Sequence, residues 1–146
     1  MWYNSGMRNR KAFTLIELML VVMIIATLAA LVIPKFTGRA EQAKVTAARS
    51  DIVANIPTAL DLYELDNGFY PTTEQGLAAL RTQPTSAPVP PKWTGPYLKR
   101  KSIDPWGNPY LYESPGKHNP DAYDLYSYGK DGVEGGKDDI GNWEEE

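Results

Sequence analysis

One carboxylate stands inside an otherwise apolar stretch of this chain. Phe13–Ile33 reads FTLIELMLVVMIIATLAALVI, and Glu17 is its only charged side chain. A carboxylate at bilayer depth costs on the order of 3 kcal/mol and usually has a partner. No Lys or Arg follows Glu17 until Lys35. One resolution is that Glu17, near the helix start, reaches the headgroups. The other is a cut before Phe13, which would create an α-amine four residues from Glu17. That spacing is one helical turn, so amine and carboxylate could meet within one chain or between neighbours.

A second cluster lies far along the chain, where Gly129–Ile140 reads GKDGVEGGKDDI. Hard cations such as Ca²⁺ take roughly six to eight oxygen ligands. Asp131 with Asp138 or Asp139 would supply side-chain oxygens, and Tyr128 a carbonyl. The glycines would let the backbone curl inward. The spacing is not that of an EF-hand, because Asp131 is followed by Gly132 and Val133 rather than alternating acids. A solvated acidic segment is the alternative. The sole histidine, His118, sits in the turn Ser-Pro-Gly-Lys-His-Asn-Pro, an exposed setting. No phosphate loop, dinucleotide fingerprint or zinc spacing is present, and the chain reads as non-enzymatic.

The elements that must position these groups follow from periodicity. Phe13–Ile33 holds 21 residues, which as a helix spans about 30 Å, the thickness of a bilayer core. Arg8, Arg10 and Lys11 precede it, which places the N-terminus in the cytoplasm by the positive-inside rule. Pro34 follows and favours a kink. Val45, Ala48, Ile52, Ile56, Leu60 and Tyr63 then form one apolar stripe of an amphipathic helix, opposite Lys44, Arg49, Asp51 and Asp61. Pro57 predicts a kink near Val53–Pro57. Asp66-Asn67-Gly68 ends the helix. Thr72 and Gln75 form a capping box for a short helix. Residues 83–96 read as a loop. Strands are expected at Tyr110–Glu113 and Tyr123–Tyr128, and a strand or extended segment at Tyr97–Arg100. Leu125 and Ser127 would face one way, and Asp124, Tyr126 and Tyr128 the other. Trp106 and Trp143 are expected to serve burial rather than binding.

Composition sets the outer limits. The chain has 146 residues, no cysteine and a formal net charge of −3. Disulfides and thiolate chemistry are therefore excluded, and a nucleic-acid partner is not expected. Charge is uneven: from Asp131 onward seven carboxylates face Lys137 alone.

Arg10-Lys11-Ala12-Phe13-Thr14-Leu15-Ile16-Glu17 resembles the leader signal of type IV pilins and pseudopilins. LDNGFYPTTEQGL, DPWGNPY and the closing Ile140-Gly141-Asn142-Trp143 resemble the major pseudopilins of type II secretion systems. Together these motifs cover most of the chain from Lys11 to Trp143. The resemblance implies an α+β, pilin-like fold: a long N-terminal helix packed on a small antiparallel sheet, with a C-terminal metal-binding loop. It implies residues 1–12 as a leader, 13–33 as the membrane and assembly helix, and 34–146 as a periplasmic domain. A prepilin peptidase would cut between Ala12 and Phe13 and methylate Phe13, leaving Glu17 to act in assembly. Ala12 stands where the family usually has Gly, and Met7 would itself suffice as a start. Removing the leader takes the formal charge from −3 to −6.

The same resemblance implies structural Ca²⁺ held by Asp131, Asp138, Asp139 and the Tyr128 carbonyl. It implies a homopolymer that drives folded proteins across the outer membrane. Implied partners are minor pseudopilins, the inner-membrane assembly platform and, before assembly, membrane lipid. The competing readings are a type IV pilus subunit, and a soluble exported binding protein cut near Ala29.

Overall fold

The computed structural model describes residues 13–143, with the backbone alone for residues 32–37. It divides into two compact units, Met1–Ala40 and Glu41–Glu146.

The first helix, α1, covers Leu15–Ser50, and its helical backbone continues through Pro34. Thr14 caps its start: the Glu17 backbone N–H donates to Thr14 Oγ1 at 3.2 Å. Thr14 and Glu17 thus occupy the first and last places of a T-x-x-E capping pattern. Every side chain from Phe13 to Leu31 is exposed. Among the described residues no helix is long and apolar enough to cross a membrane. The run Phe13–Ile33 continues beyond Leu31 into residues whose side chains are not described.

In the second unit the amphipathic stripe is the core. Ala48, Ile52, Ile56, Leu60 and Tyr63 are all buried, joined by Leu77, Leu80, Tyr110, Tyr123, Leu125 and Ile140. Near Pro57, where a kink is expected, the helix has a π turn at Asp51–Asn55, after which α2 runs Ile56–Asn67. Pro57 has no N–H to offer and its ring crowds the preceding turn. The backbone answers by widening: the Ile56 N–H reaches back five residues to the Asp51 carbonyl. A new helix then starts with Pro57 in its first turn, where the missing donor is harmless. Gly68 ends α2 at φ 85°, a left-handed cap that suits glycine. Leu60 is completely buried. Leu60→Ala is expected to destabilise the second unit by about 3 kcal/mol, a fall in Tm of roughly 12–20 °C by calorimetry.

The capping box is present in full. The Gln75 N–H donates to Thr72 Oγ1 at 3.2 Å, and the Thr72 N–H to Gln75 Oε1 at 3.3 Å. The helix it precedes is a single 3₁₀ segment, Gly76–Leu80. Three antiparallel strands follow: β1 Leu111–Glu113, β2 Asp124–Ser127 and β3 Ile140–Gly141, in the order β1-β2-β3. Leu111 pairs with Tyr126, which pairs with Gly141. Tyr97–Arg100 is not a strand. It is held instead at its start: the N–H groups of Tyr97 and Leu98 donate to the Leu80 carbonyl. Trp106 is half-buried and donates to Glu41 Oε1 at 2.8 Å.

Candidate functional site

Two ends of the chain carry the groups with chemical potential. At the first, Phe13 is 80% exposed at the head of α1, and Glu17 lies on the first helical turn, also exposed. A negative side chain there is favoured by the positive end of the helix dipole. Ala12, the other residue of the expected cut, lies outside the described residues.

At the other end, the acidic loop is pinned on both sides before it turns. Its entry is fixed by Asp104, which is buried. Ser127 Oγ donates to Asp104 Oδ2 at 2.6 Å and accepts the Gly129 N–H at 3.0 Å. The N–H groups of Trp106 and Asn108 donate to the other oxygen of Asp104. The exit is fixed by Asn142. Its side chain accepts the Leu125 N–H at 2.9 Å and donates to the Tyr123 carbonyl at 3.0 Å.

Asp124 holds the exit from behind. The sequence alternation places it on the outer side of β2 with Tyr126 and Tyr128, yet it is 1% exposed. The turn Gly116–Asn119 folds over it. N–H groups of Lys117 and His118 reach Oδ2 at 2.8 and 2.9 Å, and the N–H and side-chain amide of Asn119 reach Oδ1 at 3.0 and 3.1 Å. His118 Nδ1 lies 2.9 Å from Oδ2. Burial by itself would raise the carboxyl's pKa. The donors of His118, Asn119 and Lys117 together outweigh it and hold the group below the ordinary carboxylate range. Gly116 is required, since a Cβ there would run into the Asp124 carboxylate. The His118 ring, itself half exposed, stacks on Trp143 at 4.0 Å and 6°. Trp143 also packs edge-on against Tyr126. The single histidine and the last described tryptophan therefore act together as a clasp on the segment after β3.

Inside the loop, the Asp131 N–H donates to Asp138 Oδ2 at 3.0 Å. That bond is the chief cause holding the Asp138 carboxyl below its ordinary value. Asp131 Oδ1 accepts the Val133 N–H, and Asp139 Oδ2 accepts the Gly135 N–H at 2.8 Å. Two oxygens remain turned to one place. A Cβ on Gly136 would lie 2.6 Å from Asp138 Oδ1 and 3.1 Å from Asp131 Oδ2. Gly129, at φ 65°, lets the strand end pass against the Asp138 carbonyl. Asp139 Oδ1 is buried without a partner. Tyr128 is half-buried beside Tyr126. Among the described residues no three acidic or histidine side chains are gathered closely enough to hold a metal ion alone. An oxygen-only set completed by carbonyls still suits a hard cation. The convergence of the Asp131 and Asp138 oxygens on Gly136 fits such an ion.

Sequence reasoning brought forward Glu17, Asp131, Asp138 and Asp139. It missed Thr14, although T-x-x-E is a readable signal. It also missed Asp104, Asp124, His118 and Asn142 as anchors of the loop.

Comparison with known proteins addresses both ends of the chain. Residues 7–33 match the family model described as the prokaryotic N-terminal methylation motif. Residues 35–143 match that of type II secretion system (T2SS) protein G. A type II secretion system core protein G of Pseudomonas aeruginosa is 55% identical over 141 residues, covering 94% of this chain and 97% of the relative. Its counterpart in Aeromonas hydrophila is 51% identical, covering 93% and 94%. The crystal structure of the major pseudopilin from the type 2 secretion system of enterohaemorrhagic Escherichia coli aligns with a TM-score of 0.64 at 44% identity. That alignment covers 73% of this chain and 87% of the other. The methylation motif over residues 7–33, the protein G model over residues 35–143 and relatives at 51–55% identity agree: this chain belongs to the type II secretion system protein G family, the major pseudopilins.

Proposed function

We propose that the chain is the building subunit of a type II secretion pseudopilus, made as an inner-membrane precursor and assembled in the periplasm. The observation that carries this is the uncovered apolar surface of α1 from Phe13 to Leu31. Apolar area on that scale belongs against lipid or other protein. A subunit stored in a bilayer and then stacked helix against helix uses both in turn. The family's name favours this reading over a pilus subunit or an ordinary exported protein.

In this reading the N-terminus is cytoplasmic and residues 34–146 are periplasmic. A prepilin peptidase cuts between Ala12 and Phe13 and methylates Phe13. The new amine then pairs with Glu17 of its own or a neighbouring chain. Subunits polymerise with one another, meet minor pseudopilins and the inner-membrane assembly platform, and help drive folded proteins across the outer membrane. The chain contributes structure rather than catalysis. Asp131, Asp138, Asp139 and the Tyr128 carbonyl would hold Ca²⁺, which supplies the positive charge that lets crowded carboxylates coexist.

Mass spectrometry of the mature protein tests the processing. An N-terminus of methylated Phe13 is expected, and one near Ala30 would refute it. Glu17→Ala is expected to leave membrane insertion intact. Removing one partner of a buried pair costs about 3 kcal/mol, so sheared filament yield should fall by more than about tenfold.

A further inference from the structure

The chain carries net negative charge, yet one face of the second unit is strongly basic. Lys99, Arg100 and Lys101 are consecutive and exposed, on the strap Leu98–Ile103. On one side of the strap lies a recess of about 440 Å³, floored by Asp51, Asn55 and Ile56 where the π turn widens the helix. On the other side a recess of about 420 Å³ shares Lys101, Ser102, Ile103 and Tyr110 with the first and adds Arg81. Asp51 is the one carboxylate lining either recess, and its oxygens are occupied by Tyr110 Oη at 2.9 Å and Asn55 Nδ2 at 2.8 Å. Among the described residues Arg81, Lys99, Arg100 and Lys101 form no ion pair. Ser102 Oγ, at the centre of the strap, is buried without a hydrogen-bond partner. Four free cations and an idle hydroxyl suit a carboxylate-bearing segment.

The sequence holds such a segment in Glu144-Glu145-Glu146, next to Trp143 and outside the described residues. Three residues reach about 10 Å at most. Trp143 packs on Tyr126 and His118. Tyr126 lies on the opposite face of β2 from buried Leu125 and Ser127, which look toward the helical core. Tyr110, which lines both recesses, belongs to that core. Trp143, which the acidic segment follows in sequence, thus lies on the far side of the sheet from both recesses, and this favours a recess of another molecule.

We infer that the basic strap Leu98–Ile103 receives residues Glu144–Glu146 of a neighbouring copy in the filament. Such a contact joins two different surfaces, and a repeated contact of this kind builds an open helix. Single exposed ion pairs are weak, but three carboxylates meeting four cations act as a set that fixes register.

This inference rests on the filament reading, and the test separates the two. The chain lacks cysteine, so Lys101→Cys with Glu145→Cys gives one defined cross-link. In the full chain, assembled by its own secretion machinery, oxidation should give dimers and a ladder at least about five times stronger than either single variant. Triple reversal of Lys99, Arg100 and Lys101 to Glu, or of Glu144, Glu145 and Glu146 to Lys, should cut filament yield by a similar factor. Combining both reversals should restore it. Filaments without the ladder, a bond closed within one chain, or reversals without effect would each overturn the inference while leaving the filament reading intact. Failure of the unsubstituted chain to form filaments would remove both.

Discussion

Asp124→Ala is expected to loosen the whole C-terminal half of the second unit. The carboxylate gathers backbone N–H groups from Lys117, His118 and Asn119, the Asn119 amide and the His118 ring. Removing it leaves those donors facing one another in a buried site. A hydrogen bond to a charged group is worth about 1.5–3 kcal/mol, but donors that regain water return part of this. A net loss of about 3–4 kcal/mol is reasonable for breaking a buried charged network. By calorimetry that is a Tm drop of roughly 12–25 °C, together with loss of the His118–Trp143 stack in NMR spectra. The acid response follows from the same carboxyl. Its folded pKa lies below its unfolded one. Its contribution is therefore complete above about pH 4 and is lost as pH falls through the lowered value. Asp124→Asn should flatten that part of the acid-unfolding curve. An unchanged Tm, or an unchanged acid limb in the Asn variant, would contradict the clasp.

The second large effect concerns the acidic loop. A ligand that binds only the folded state stabilises it by about 4 kcal/mol at a thousand times its dissociation constant. Saturating Ca²⁺ is thus expected to raise the Tm of the second unit by more than about 15 °C. Asp131→Ala and Asp138→Ala should each abolish the rise, because their free oxygens converge at Gly136. Asp139→Ala should do so as well and would remove a buried oxygen that otherwise has no partner. Melting curves unmoved by excess Ca²⁺ would refute the metal reading. Mg²⁺ should substitute poorly, since it prefers a tighter octahedron and keeps its water.

What the sequence made legible follows the physics of each element. The stripe from Val45 to Tyr63 was readable because burial on one helical face leaves a period. The strands β1 and β2 were readable from alternating apolar residues and flanking turns. β3 was not, because two residues, Ile140 and Gly141, carry no period at all. The burial of Asp124 was hidden for a related reason: its partners are mostly backbone N–H groups of a turn, which every residue type possesses. His118 in a Pro-Gly turn gave no sign of the Trp143 ring against it, since that contact joins residues 25 apart. The Gln75 capping box was legible and formed as read, but its helix is shorter and tighter than the pattern implied. The carboxylates of the loop were visible from composition. Their anchoring through Asp104 and Asn142 depends on side chains folding back on strand ends.

The π turn has a consequence for how this family can change in length. Ala48, Ile52, Ile56 and Leu60 repeat every four residues, which in a regular helix of 3.6 residues per turn would drift by about 120° around the axis. The wider turn at Asp51–Asn55 absorbs part of that drift, and all four stay buried. The segment works as a slip joint. A relative lacking one residue here, and with another residue in place of Pro57, would close the turn to an ordinary α-helix and keep the same side chains inside. The two sides of the joint can therefore diverge in residue count without retuning the rest of the domain.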